Sequence, residues 1–101
     1  IVIPKKHIST INDLNESDRK LMGDLIFSAK IIAEKINVKE SGFRCIFNTN
    51  NDGGQTVFHI HMHLLAGREL SWPPGWYFLS VLIFKKDNYL DVYIWNHNAR
   101  I

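Results

Sequence analysis

Disulfide bonds are the first feature that this sequence lacks, because Cys45 is the only cysteine among its 101 residues. A small scaffold held together by internal disulfides is therefore excluded, and the single cysteine fits a reducing compartment. Long apolar runs are also missing. The longest one, residues 76–84 with a serine inside it, has about half the length that a membrane-spanning helix needs. We therefore expect no membrane association.

Strong charge of one sign is absent as well. The net charge is +2, which is too small to indicate a nucleic-acid partner. The hydrophobic content of 46% and the charged content of 22% are ordinary for one folded domain. The chain starts with isoleucine rather than methionine, so we expect it to be a fragment or a processed product.

Hydrophobic periodicity predicts one long helix over residues 17–37. Ser17 is the predicted N-cap, and Gly42 lies where the chain turns after the helix. Apolar residues with helical spacing form one face, which a few others widen: Leu21, Leu25, Ala29, Ile32 and Ile36, with Met22, Ile26 and Ala33.

Strand signals lie on both sides of this helix. Residues 1–3 read as the end of a strand that Pro4 stops, and the following Lys5, Lys6 and His7 read as an exposed turn. Residues 43–48 and 57–65 are two further predicted strands, and the aromatic tail offers one or two more over residues 77–84 and 89–95.

The strand over residues 57–65 carries the most informative pattern. Side chains alternate between the two faces of a strand, so His59, His61 and His63 would line one face, about 7 Å apart. The other face would be apolar core: Phe58, Ile60, Met62 and Leu64. Sheet propensity does not favour histidine, so this alternation indicates a functional site rather than packing.

Two chemistries fit such a row of imidazoles. One is metal binding, with a further ligand from His7 or His97. The other is phosphoryl chemistry, in which one imidazole attacks phosphorus and its neighbours stabilise anionic oxygens. The preceding loop favours phosphoryl chemistry, because it offers glycines for close backbone approach together with amides and a hydroxyl: Asn48, Gly53, Gly54, Gln55 and Thr56.

The motif His-φ-His-φ-His-φ-φ over residues 59–65 resembles the signature of the histidine triad (HIT) superfamily. Further motifs are similar to its nucleotide-binding protein (Hint) branch: Ile3 to Ser9, Asp52 to Gln55, Gly67-Arg68 and Trp72 to Gly75. The resemblance covers residues 1–75. It implies an α+β fold with an antiparallel sheet and one long helix, and a homodimer that forms a continuous sheet.

The same resemblance implies an enzyme that hydrolyses purine nucleoside phosphoramidates, with no metal or other cofactor. His61 would be the nucleophile and form a nucleotidyl-histidine intermediate, oriented by the backbone carbonyl of His59, while His63 would bind the phosphate. Thr56 would lie near the leaving group. The remaining substrate contacts would come from Asn48, Gly54, Gln55 and, reaching the partner subunit's site, Trp72. Cytoplasmic or nuclear residence is the implied location.

The departures from the branch define the predicted domains. The branch has roughly 50 residues before the position of Ile1, including two strands, whereas residues 76–101 have no counterpart in it. We therefore expect a HIT domain over residues 1–75, without its first strands, and a C-terminal extension over residues 76–101. Two alternatives remain open: a non-catalytic nucleotide-binding or scaffolding protein, and a metal-dependent hydrolase.

Overall fold

The computed structural model describes residues 1–71 in full, and residues 81–85 and 90–95 as backbone strands. One long helix and an antiparallel sheet make this an α+β fold, as the sequence resemblance predicts. Two short 3₁₀ turns, Ile11–Asp13 and Glu16–Asp18, precede the helix. The elements in chain order are β1 (Val2–Pro4), α1 (Arg19–Lys35), β2 (Phe43–Ile46), β3 (His63–Ala66), β4 (Val81–Lys85) and β5 (Leu90–Trp95).

The start of α1 is fixed by Asp18 rather than by Ser17, so the predicted N-cap is wrong by one residue. The Asp18 carboxylate is buried, accepts a hydrogen bond from the backbone N–H of Asn15 at 3.0 Å, and pairs with the Lys6 ammonium at 2.5 Å. The Lys6 pair is the main reason why the pKa of Asp18 lies below its usual value. Lys6, expected in an exposed turn, therefore ties the end of β1 to the start of α1.

The inner face of α1 packs into the core as its periodicity predicts. Its buried apolar residues are Leu21, Leu25, Ala29, Ile32 and Ala33. All of them except Ala33 share one core with four other residues: Val2 of β1, Ile8 after it, and Ile60 and Met62 of the histidine segment, residues 57–65. Ile26, predicted to widen this face, is 53% exposed. That prediction was wrong, because Ile26 directly follows the buried Leu25 and lies beyond the edge of the buried stripe.

The strands form two antiparallel groups joined at one point. β2 pairs with β3, with Phe43 opposite Ala66 and Ile46 opposite His63. β5 lies between β1 and β4. An antiparallel bridge between Val2 and Met62 connects the two groups, so the histidine segment lies between β1 and β2.

The predicted strand over residues 57–65 is shorter than expected. Residues 57–59 form a bend, and regular pairing begins only at Met62 and His63. Phe58, predicted to face the core, is 54% exposed because the alternation of a strand has not yet begun there. Ile60 and Met62 are buried as predicted.

The aromatic tail contributes two strands. Where the structure describes them, both predicted tail strands are present as β4 and β5, which pair with each other, and β5 pairs with β1 so that Val2 lies opposite Val92. The boundary predicted at residue 75 falls outside the described residues and stays a prediction. Among the described residues, no helix has the length and apolar character to cross a membrane.

Candidate functional site

The histidine segment is held by the first residues of the chain. Val2 and Met62 exchange two backbone hydrogen bonds of 2.8 and 2.9 Å, and the Ile60 N–H donates to the Ile8 carbonyl at 2.7 Å. These two contacts frame the region in which His59 and His61 lie. Between the two contacts the histidine side has one residue, His61, whereas the N-terminal side has five, residues 3–7. Residues 5–7 therefore stand out of the pairing.

His61 is oriented by the backbone next to it. Its Nδ1 lies 2.6 Å from the carbonyl oxygen of His59. A carbonyl oxygen only accepts hydrogen bonds, so Nδ1 carries the proton and donates. In the neutral ring the Nε2 lone pair is then available, which is the state that a nucleophilic imidazole requires. The local bend at residues 57–59 presents this carbonyl to the ring two residues later.

His63 lies beside His61, with the ring centroids 4.9 Å apart and the planes inclined by 70°. Partial burial, reinforced by the nearby charges of His61 and of the amino terminus, lowers the pKa of His63 to about 4. His63 is therefore neutral near pH 7. A neutral ring donates through only one of its two nitrogens, so His63 offers one hydrogen bond rather than a fixed positive charge.

His59 does not join the other two rings in a simple row. Its Nε2 lies 2.7 Å from the Pro4 carbonyl, and its Nδ1 lies 3.1 Å from Nδ1 of His7. His7 Nε2 in turn lies 3.4 Å from the Ser9 hydroxyl. Sequence reasoning placed His7 in an exposed turn. Its position beside the triad depends on the register between residues 1–9 and 55–62, which no local pattern shows.

The loop before the histidines is braced by Gln55, whose side chain is only 6% exposed. Its amide nitrogen donates to the carbonyls of Ser9 and Val57 at 2.8 and 3.1 Å, and its oxygen accepts from the Asn50 N–H at 2.9 Å. Both amide hydrogens are thus committed to backbone. The predicted substrate contact by Gln55 stays untested, whereas its bracing contacts are visible.

The two loop glycines are required for different reasons. A Cβ on Gly53 would lie 2.4 Å from the Thr49 carbonyl oxygen and 2.8 Å from its nitrogen, which no side chain tolerates. Gly54 has φ of +75°, in the left-handed region that other residues rarely adopt. Asn50 also has a positive φ of 58°. The result is a tight turn that delivers the chain to the histidines.

The other predicted site residues lie around this turn. Asn48 is half-buried just after β2, and Thr56 is exposed between the turn and the histidine bend. Trp72 falls outside the described residues, so its predicted contact with a partner subunit stays a prediction. Within residues 1–71, no group of three or more histidine, cysteine, aspartate or glutamate side chains is arranged to hold a metal ion.

The α+β fold, together with the His61 ring oriented by the His59 carbonyl, places this chain in the class of histidine-triad proteins. The chain belongs to the HIT family, since the HIT domain model matches residues 1–70. It is 47% identical over 70 residues to the purine nucleoside phosphoramidase of Escherichia coli, covering 69% of this chain and 59% of that protein. An uncharacterized HIT-like protein of Synechococcus elongatus is 44% identical over 75 residues, covering 74% of this chain and 65% of that protein.

The same relationship is visible in three dimensions. The crystal structure of a HIT family hydrolase from Legionella pneumophila matches with a TM-score of 0.71 and 51% sequence identity, covering 73% of this chain and 67% of that one. The chain thus spans about three fifths to two thirds of the length of the curated relatives it matches. The residues that the HIT domain model matches, 1–70, include both the histidine segment and the long helix.

Proposed function

We propose that this chain hydrolyses purine nucleoside phosphoramidates, of which adenosine 5′-phosphoramidate is the simplest, through a covalent intermediate on His61. The observation that carries the proposal is the 2.6 Å contact between His61 Nδ1 and the His59 carbonyl, which leaves Nε2 free to attack phosphorus. The similarity to a purine nucleoside phosphoramidase supports the substrate class.

The proposed reaction has two steps. His61 Nε2 forms a bond to the α-phosphorus while the phosphorus–nitrogen bond breaks, and the amine leaves with a proton taken from solvent. Water then attacks the same phosphorus and returns a proton to solvent, the phosphorus–Nε2 bond breaks, and the nucleoside monophosphate leaves neutral His61 behind. Because hydrolysis is divided into two displacements at phosphorus, the His61 ring acts first as nucleophile and then as leaving group.

The His59 carbonyl favours the intermediate more than the free enzyme. Once Nε2 is bound to phosphorus while Nδ1 keeps its proton, the His61 ring is cationic. A hydrogen bond from a charged donor is roughly twice as strong as one between neutral partners. The contact therefore stabilises the charge that develops during attack, which is the requirement for rate acceleration.

The remaining residues are assigned around this step. His63, neutral near pH 7, is proposed to donate a hydrogen bond to a phosphate oxygen. The exposed Thr56 hydroxyl is proposed to contact the leaving amine, and the backbone at Gly54 and the side chain of Asn48 are proposed to bind the nucleotide. Gln55 is proposed to act by holding the loop that presents these groups.

The test compares hydrolysis of adenosine 5′-phosphoramidate by this chain and by its His61→Ala variant, with and without a chelator. We expect turnover that His61→Ala reduces by at least about 10³-fold and that the chelator leaves unchanged. Nucleotide binding without turnover by a folded chain would contradict the enzyme and favour the non-catalytic alternative. Loss of activity with the chelator would instead favour the metal-dependent one.

We also propose that two copies associate through α1 and β2. Phe27 on α1 and Phe43 on β2 are 59% and 41% exposed, and β2 pairs only with β3 among the strands that the structure describes. The other edge of β2 can therefore pair with β2 of a second copy and continue the sheet. Sedimentation equilibrium should show a dimer that Phe43→Lys dissociates, whereas the control Ile11→Lys, on a 3₁₀ turn, should not. A monomeric wild-type chain would contradict this arrangement.

A further inference from the structure

A chain of hydrogen bonds reaches the triad from outside it. The Pro4 carbonyl only accepts, so His59 Nε2 carries the proton in their 2.7 Å contact. In a neutral His59 ring, Nδ1 is then an acceptor. The 3.1 Å contact between the two Nδ1 atoms therefore requires that His7 Nδ1 donates. The Ser9 hydroxyl, 3.4 Å from His7 Nε2, completes one consistent arrangement.

From this geometry we propose that His7 is a positioning residue for the nucleophile. Its Nδ1–H fixes the ring of His59, and the His59 carbonyl in turn orients His61. This proposal rests on the proposed function, since it assigns His7 a part in the same displacement at phosphorus. His7 acts through His59 rather than by touching the reacting atoms.

The argument rests on how the His59 ring is held. With Pro4 on one nitrogen and His7 on the other, both ring nitrogens have partners and the imidazole cannot flip without losing both contacts. The rings of His7 and His59 also meet edge to face, with centroids 5.0 Å apart. Fixing the side chain restricts rotation of the residue in the bend at 57–59, whose carbonyl must stay 2.6 Å from His61 Nδ1.

The place of His7 in the fold argues against a packing role. His7 is exposed, and it lies in the segment of residues 5–7 that stands out of the pairing between β1 and the histidine segment. Neighbouring Ile8 is buried in the core and anchors the backbone independently of the His7 ring. Removing the ring should therefore leave the fold intact and affect the geometry at His61.

The kinetic test uses His7→Ala and His7→Asn, with Lys39→Ala beyond the far end of α1 as the control. We expect His7→Ala to lower kcat by about fivefold while KM changes by less than about twofold. The Asn amide can place an N–H near the position of Nδ1, so His7→Asn should restore most of kcat. A change confined to KM would overturn the proposal, because it would make His7 a direct substrate contact.

A second measurement does not depend on turnover. Long-range ¹H–¹⁵N spectra of the histidine rings report which nitrogen carries the proton. Through the ¹⁵N shift they also report whether the unprotonated nitrogen accepts a hydrogen bond. We expect His59 protonated at Nε2, toward the Pro4 carbonyl, in all three proteins. The ¹⁵N shift of His59 Nδ1 should show an accepted hydrogen bond in the wild type and in His7→Asn, and its loss in His7→Ala. If His7→Ala leaves the shift of His59 Nδ1 unchanged, the positioning role is refuted even in a chain without phosphoramidase activity. If turnover is absent but this shift changes as expected, only the proposed function fails.

Discussion

The Gln55 brace leads to a prediction whose magnitude follows from its contacts. Replacement by Met keeps the length and volume of the side chain but removes its three hydrogen bonds to backbone. At about 1 kcal/mol net for each, the loss is about 3 kcal/mol. Asn50 and Val57 are exposed, so water can replace part of it. We expect Gln55→Met to lower the free energy of unfolding by about 2 kcal/mol.

Gln55→Glu separates hydrogen bonding from packing. A carboxylate keeps an acceptor for Asn50, loses both donors and places negative charge against the carbonyls of Ser9 and Val57. It should therefore be less stable than Gln55→Met at pH 7. The difference in stability between the two variants should narrow as the pH falls toward about 4, because a protonated carboxyl can again donate a hydrogen bond.

Urea denaturation followed by circular dichroism at 222 nm, which reports on α1, gives these free energies directly. Phosphoramidate hydrolysis measured on the same samples tests whether the loop brace also supports turnover. The reasoning is refuted if Gln55→Met unfolds at the same urea concentration as the wild type. It is equally refuted if Gln55→Glu is the more stable variant at pH 7.

Two further predictions concern single residues. Gly53→Ala forces its Cβ against the Thr49 backbone and should lower both stability and turnover, whereas Gly23→Ala, in open space on α1, should raise stability by about 0.5–1 kcal/mol. Urea denaturation of both variants measures the two changes in the free energy of unfolding, and changes of the same sign would contradict this account. For His63, burial lowers the pKa to about 4 from 6.5, so the unfolded chain binds a proton first as the pH falls. Stability should therefore decline between about pH 6.5 and pH 4, and His63→Gln should flatten that decline; a variant as acid-sensitive as the wild type would contradict it.

Patterns with one strong period were predictable from sequence. The buried face of α1 follows from helical spacing, because each of its members contacts a core on one side only. The predictions that failed concern residues at the edges of these periodic stretches, where periodicity does not determine burial. Ile26 is at the edge of the stripe, and Phe58 precedes the point where the strand begins. Helix and strand ends depend on local hydrogen bonds such as the one from Asn15 to Asp18. The sequence therefore locates these ends only to within a residue or two.

Contacts between segments distant in sequence were not predictable. The alternation of His59, His61 and His63 identifies the triad, but it places the three rings in a row. In the structure the rings of His61 and His63 are in contact, whereas the His59 ring contacts Pro4 and His7 instead. That difference arises from the bend at residues 57–59 and from the register with β1, both of which are tertiary. In the sequence, the one feature that points to His7 is its closeness to the end of β1, the strand that pairs with the histidine segment.

The first nine residues therefore do more than supply a strand. The segment from Gln55 to Met62 donates hydrogen bonds to the carbonyls of Ser9, Ile8 and Pro4, and Met62 exchanges two with Val2. Each contact fixes a different part of the site: the loop brace, the backbone before His61, the His59 ring and the start of β3. Substitutions in residues 1–9 that leave the core intact should thus change turnover more than stability. This distinguishes a segment that positions a nucleophile from one that only covers a core.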